Sequence, residues 1–182
     1  MELKNLNDKE LEEICFMIMN VSNLMGYSDG EMKDSELWVL SSYLGLMNNM
    51  PLEPLNSIFK IWNEKGVQFT KKLSDESMKT ILEIAETSSP YAEEAFDIMF
   101  GKGILAVSKL SSQEKLDFVT GIYGLNLHIT HSDKKVDEDE IQTSIDIIKY
   151  LVKKLNLDPN TVLNVDKYFR STGGDEMFKY VR

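Results

Sequence analysis

The chain has 182 residues, of which 30 are acidic and 20 basic, so its formal charge is −10. An anionic surface repels phosphate backbones, which makes nucleic acid an unexpected partner. No uncharged run approaches the ~20 apolar residues of a membrane span, and no leader-like segment opens the chain, so we expect a cytoplasmic protein without direct membrane insertion.

Helical periodicity runs through nearly the whole chain and predicts an all-α, single-domain bundle (1–182) of about eight helices. The first helix begins at a capping box in which Asn7 is the N-cap and Glu10 the third residue. The second starts near Asp34. The third spans about 53–65, and Gly66 is a natural residue to end it.

Predicted helices four and five meet at a proline. Ser74 or Asp75 caps the fourth helix, and Ser89 ends it. Pro90 suits the first position of the fifth helix, because that position needs no backbone N–H. The pair Gly101 and Gly103 predicts a break or kink inside the fifth helix.

The last three helices carry clear start signals. A capping box at Ser111 and Glu114 opens the sixth, and another at Asp137 and Glu140 opens the seventh. The eighth starts near Asp158. Apolar spacing predicts that one face of the seventh helix points inward, formed by Ile141, Ile145, Ile148, Val152 and Leu155.

One acidic segment occurs twice: residues 27–37 align without gaps on residues 131–141. The chain is therefore predicted to contain a helix–acidic loop–helix unit twice, at about 8–48 and 112–152. Three identities carry the alignment: Ser28 with Ser132, Asp29 with Asp133 and Glu36 with Glu140.

Helix capping explains only part of this acidic pattern. Asp137 and Glu140 suit the first turn of a helix, where carboxylates complement the helix dipole. Asp29 and Asp133 follow the end of a helix, where negative charge is unfavourable. A hard divalent cation such as Ca²⁺, Mg²⁺ or Mn²⁺ would explain both, although the loop lacks the spacing of an EF-hand. Pure capping and metal binding both stay open at this point.

The repeated motif resembles the TerB-like tellurite-resistance domain family. The likeness lies in Ser28-Asp29-Gly30 with Glu36-Leu37, and in Ser132-Asp133 with Glu140-Ile141. It implies an internally duplicated, all-helical, cytoplasmic domain associated with stress response. It also implies a divalent-metal site formed by Asp29, Glu36, Asp133 and Glu140. The second copy departs from the pattern, because Lys134 replaces the expected glycine.

The only two histidines, His128 and His131, lie on one helical face close to Asp133, a set that suits Zn²⁺. The alternative is a histidine pair at a helix C-terminus, where the dipole favours positive charge. The single cysteine, Cys15, is expected to be a buried apolar residue.

No phosphate-binding loop, nucleophile elbow or His-Glu-x-x-His motif is present, so we expect a non-enzymatic protein. Two other functions stay open. An acidic, methionine-rich surface could dock a basic or apolar protein helix without metal. A hydrolase could use the loop acids with a metal, provided that Asp29 and Asp133 line a deep pocket.

Overall fold

The computed structural model describes residues 6–27, 43, 52–131, 138–174 and 176. Six helices, and no strand, occur in this part of the chain. They are α1 (Asp8–Gly26), α2 (Leu55–Ala85), α3 (Glu93–Val107), α4 (Ser112–Thr130), α5 (Glu138–Lys154) and α6 (Thr161–Ser171). The all-α prediction is therefore confirmed, whereas the predicted count of eight helices is not. The second predicted helix lies outside the described ranges, apart from the helical residue Tyr43.

The third and fourth predicted helices follow each other without a loop in α2, and Gly66 interrupts the helical backbone between them, where the third helix was predicted to end. This glycine has φ 78° and ψ −174°, and helix resumes directly after it. A single residue is enough because glycine adopts positive φ without a Cβ clash. Because helix resumes directly after Gly66, Ser74 and Asp75 lie inside α2, and the predicted start of the fourth helix at either residue is wrong. A hydrogen bond of 2.8 Å from Trp62 Nε1 to Thr70 Oγ1 spans the kink.

The predicted junction at Pro90 is also corrected. Helix α2 ends at Ala85, and α3 begins at Glu93, three residues after the proline. Ser89 holds a turn between the two helices: its hydroxyl accepts from the amide of Tyr91 at 3.3 Å. Its carbonyl accepts from the amide N–H of Ala92 at 3.2 Å. This turn delays the start of α3.

Helix α3 continues through Gly101 and Gly103, so the predicted break is wrong. The reason for Gly103 is packing. A Cβ atom on Gly103 would lie 2.6 Å from Met17 Cβ, so the glycine allows α3 to approach α1 closely. No atom lies within 4 Å of the Cβ position at Gly101.

Helix α1 is the centre of the bundle. It packs against α2, α3, α4 and α5, and it is buried without interruption from Met17 to Gly26. It runs antiparallel to α3, as contacts at both ends show. Glu10 forms an ion pair with Lys109 at one end, and at the other the Tyr91 hydroxyl donates to the Tyr27 carbonyl at 3.1 Å.

Methionines contribute to this core rather than to the surface. Four of them are at most 3% exposed, which corrects the expectation of a methionine-rich surface in the described part: Met17, Met19, Met25 and Met99. The buried apolar side chains of all six helices belong to one cluster. No helix within the described ranges is long and apolar enough to cross a membrane.

The first helices of the two predicted repeat units have matching boundaries. Both α1 and α4 have 19 residues, and both begin with a complete capping box. The N-caps Asn7 and Ser111 are 104 positions apart, as are Glu10 and Glu114. The second helix of the first unit falls outside the described residues, so the full repeat stays a prediction.

The buried face of α5 is not the one that the spacing of its apolar residues predicts. Ile141 and Ile145 are 45% and 37% exposed, so their predicted burial is wrong, while Ile148, Val152 and Leu155 are buried as expected. Polar residues take the inner positions of the first two turns. The last helix begins at Thr161 rather than near Asp158, whose carboxylate accepts from the Asn160 amide at 2.8 Å.

The two glycines of α3 should respond oppositely to alanine. We expect Gly101→Ala to raise the free energy of unfolding by about 0.5–1 kcal/mol, because alanine is the better helix former and the site is open. Gly103→Ala should lower it by about 1–3 kcal/mol, because the new methyl group collides with Met17. Urea denaturation of both variants measures the difference. Equal stabilisation by both substitutions would contradict the close packing of α1 and α3.

Candidate functional site

Of the four predicted metal ligands, the structure describes only Glu140. It lies in the first turn of α5 and is 6% exposed. Asp29, Glu36 and Asp133 lie outside the described residues. The prediction that these four carboxylates come together therefore stays a prediction, and Glu140 is the one whose surroundings the structure describes.

Buried polar side chains lie on both α4 and α5, and one hydrogen bond joins the two helices. Thr143 and Ser144, three and four residues after Glu140 on α5, are 7% and 8% exposed. The Asn126 amide on α4 donates to Ser144 Oγ at 3.1 Å, and the Thr130 hydroxyl donates to the Asn126 carbonyl at 2.9 Å. We call these five residues, Glu140 included, the α4–α5 polar layer.

Asn126 is the unusual member of this layer. Its side chain is fully buried, and its Oδ1 atom accepts no hydrogen bond within the described part of the protein. An unsatisfied buried acceptor costs roughly 1–3 kcal/mol, so such a group is expected to have a water or an ion as its partner. Amide oxygen is also a ligand type that hard cations accept.

Glu140 differs from the glutamates of the two complete capping boxes. Glu10 and Glu114 are only half-buried. Hydrogen bonds from Lys109 and from the Asn7 amide lower the pKa of Glu10. The hydroxyl and amide of Ser111 lower the pKa of Glu114 in the same way. Glu140 is therefore more buried than either of these two capping glutamates.

The two histidines occupy different environments. His128 is 4% exposed, and its ring lies 5.9 Å from the ring of Tyr43 between centroids. His131 is exposed, and its Nδ1 lies 2.7 Å from the Leu127 carbonyl. Among the described residues, no group of three His, Cys, Asp or Glu side chains could hold a metal. Asp133, the third residue of the zinc hypothesis, is outside that search.

Cys15 has the expected surroundings. It is 1% exposed, and burial raises the pKa of its thiol to about 12. A thiol with so high a pKa is a poor nucleophile and a poor metal ligand at neutral pH. The residue therefore belongs to the core.

Sequence reasoning missed three tyrosine–carboxylate hydrogen bonds that join distant helices. Their lengths are 2.6 Å for Tyr150 with Asp97, 2.8 Å for Tyr168 with Asp117, and 2.9 Å for Tyr123 with Asp166. The partners are at least 43 positions apart, so no local spacing could reveal them. A hydrogen bond from Lys154 is the main cause that lowers the pKa of Asp97. These pairs fix helix packing.

Comparisons of the chain with protein-family models, with curated proteins and with solved structures found no match. The likeness to tellurite-resistance domains therefore rests on the repeated motif alone.

Protonation of His128 should destabilise the fold. Burial, together with the nearby His131, lowers the pKa of His128 from its usual 6.5. The unfolded chain therefore binds this proton more readily, and stability is lost as pH falls from about 6.5 through the lower pKa of the folded state. One proton limits the slope to about 1.4 kcal/mol per pH unit.

Urea denaturation between pH 7 and pH 5 measures this dependence. We expect His128→Gln to flatten the profile over that window, while His131→Gln, at the exposed ring, keeps most of the slope. The carboxylates with lowered pKa values act below this window, because their ordinary values are 4.5 or less. An unchanged slope in His128→Gln would assign the loss of stability to other groups.

Proposed function

We propose that the chain is a non-enzymatic, divalent-metal-binding helical domain of the tellurite-resistance and stress-response type, acting in the cytoplasm as the resemblance implies. One observation carries the proposal. Glu140 is a carboxylate in the first turn of α5, yet it is 6% exposed. Glu140 already has a polar or charged partner in the protein, and a divalent cation beside it would stabilise its buried negative charge further.

The order of α4 and α5 along the chain also supports metal binding. Helix α4 ends at Thr130 and α5 begins at Glu138, so in the sequence Asp133 falls between the two helices that carry the polar layer. Carboxylates and carbonyl oxygens are the ligands that Ca²⁺, Mg²⁺ and Mn²⁺ prefer. In this proposal Asp29 and Glu36 bind from the first unit, and Asp133 and Glu140 from the second.

A cation held by both units would act as a structural link between two hairpins. Its binding energy would add to folding stability, because the unfolded chain lacks the assembled ligands. In this role the four carboxylates bind the metal, and its positive charge offsets their mutual repulsion.

Thermal and urea unfolding with Ca²⁺, Mg²⁺ or Mn²⁺, against a chelator, tests the proposal. At a hundredfold excess over Kd, metal should add about 2.7 kcal/mol to the free energy of unfolding. The double variant Asp29→Asn/Asp133→Asn should lose this gain, and Glu140→Gln should reduce it. Asp75→Asn, an exposed carboxylate outside both loops, should keep it in full.

Two outcomes of these unfolding measurements would contradict the metal proposal. If none of the three ions changes the unfolding midpoint of the unmodified protein, the acids are helix caps and the metal proposal fails. If metal stabilises the double variant as much as the unmodified chain, binding occurs elsewhere. Calorimetric titration of the unmodified chain gives the number of ions bound in either case.

A second candidate function is a metal-independent scaffold that docks other proteins. Exposed apolar side chains favour it, with exposures of 65–82% at Val67, Ile98, Leu105 and Leu163. Single exposed apolar residues are ordinary, so the scaffold function needs a surface where several come together. Partner binding that a chelator leaves unchanged would separate this function from the first.

A further inference from the structure

A groove of about 690 Å³ lies where the end of α5 turns into α6. Its apolar lining includes Val152 and Leu157 on one side and Val162 and Leu163 on the other. Leu163 is 81% exposed, whereas Val152 is 3% exposed. The groove therefore has a buried floor and an apolar wall in open solvent.

The floor of this groove is fixed by the way in which α5 ends. Asn156 adopts φ 54°, a left-handed conformation that asparagine tolerates better than most residues. The Leu157 amide donates to the Val152 carbonyl at 3.0 Å, and the Asn156 amide donates to the Lys153 carbonyl at 3.3 Å. This pair of bonds is a Schellman motif, in which the residues equivalent to Leu157 and Val152 commonly touch. The Schellman motif therefore fixes the backbone at the end of α5, which forms the floor of the groove.

Two lysines, Lys149 and Lys153, give this groove a positive rim. Their side chains are 58% and 66% exposed, in a chain with a net charge of −10. Lys149 lies 3.9 Å from Asp146, and Lys153 lies 2.7 Å from Glu93. Exposed ion pairs of this kind contribute about 0–1 kcal/mol, so a partner's carboxylates can replace them at little cost.

We propose that this groove docks an amphipathic helix of another protein whose apolar stripe is flanked by acidic residues. The stripe would cover Leu163 and the floor, and the acids would meet Lys149 and Lys153. A groove between two helices suits a helical ligand, and no strand edge is available within the described part of the chain for a partner strand to extend. The inference deepens the scaffold candidate and does not depend on metal.

Titration of the full chain with two synthetic helical peptides tests the proposal. Both peptides carry the same leucine stripe, flanked by glutamates in one and by lysines in the other. Fluorescence anisotropy should show the glutamate peptide binding at least about tenfold more tightly. Leu163→Glu and the double variant Lys149→Glu/Lys153→Glu should each weaken this binding about tenfold.

Matched controls lie outside the groove. Val67→Glu changes a side chain as exposed as Leu163, and Lys79→Glu reverses an exposed lysine on α2, so both should bind the glutamate peptide normally. Absence of binding, equal affinity for the two peptides, or normal affinity of Leu163→Glu would each overturn the proposal.

Analytical sedimentation tests whether a second copy of the chain, rather than another protein, occupies the groove. A dimer that Leu163→Glu converts to monomer would show that the groove pairs with itself, and it would also overturn the proposal. A chelator should leave the affinity for the peptide unchanged. Failure of the metal proposal would therefore not contradict the groove proposal, and failure of the groove proposal would not contradict metal binding.

Discussion

The burial of the second half of α1 is the constraint on which the structure depends. From Met17 to Gly26 this helix is buried in a bundle where it packs against four others, so the polar side chains there need partners inside the protein. The Asn20 amide donates to the Met99 carbonyl at 2.7 Å, and the Asn23 amide lies 3.5 Å from the Ser74 carbonyl. These contacts connect α1 to α3 and α2, and they fix which faces of those helices are buried.

The same requirement shapes the candidate site. Between α4 and α5, hydrogen-bonded polar side chains take positions that apolar residues would normally hold, and Asn126 Oδ1 lacks a hydrogen bond from the described residues. Polar layers of this kind specify a helix pair more narrowly than an apolar interface does, because a shift along the axis would break the hydrogen bonds. Glu140 lies one turn before Ser144, on the same side of α5 as this hydrogen bond.

Helix α5 connects the two proposed activities. Glu140 lies near its start, and the lysine-rimmed groove lies at its end. A helix of 17 residues is about 25 Å long, so the two sites are well separated along it. Substitutions at one end should leave the other intact. The proposed cation site and the proposed docking surface can therefore be tested independently of each other.

The all-α class and the helix starts at Asn7 and Ser111 could be predicted from the amino-acid sequence, because helical periodicity and capping boxes depend on residues three or four positions apart. The resemblance of the repeated motif made Glu140 a candidate ligand, but it did not predict the burial of this residue. The continuation of α3 through Gly103 could not be predicted, since the need for glycine there comes from Met17 on another helix. The same holds for α5, on which Glu140 and Ser144, rather than Ile141 and Ile145, face inward. The apolar pattern could not show this, because the reason is a hydrogen bond to Asn126 across the bundle.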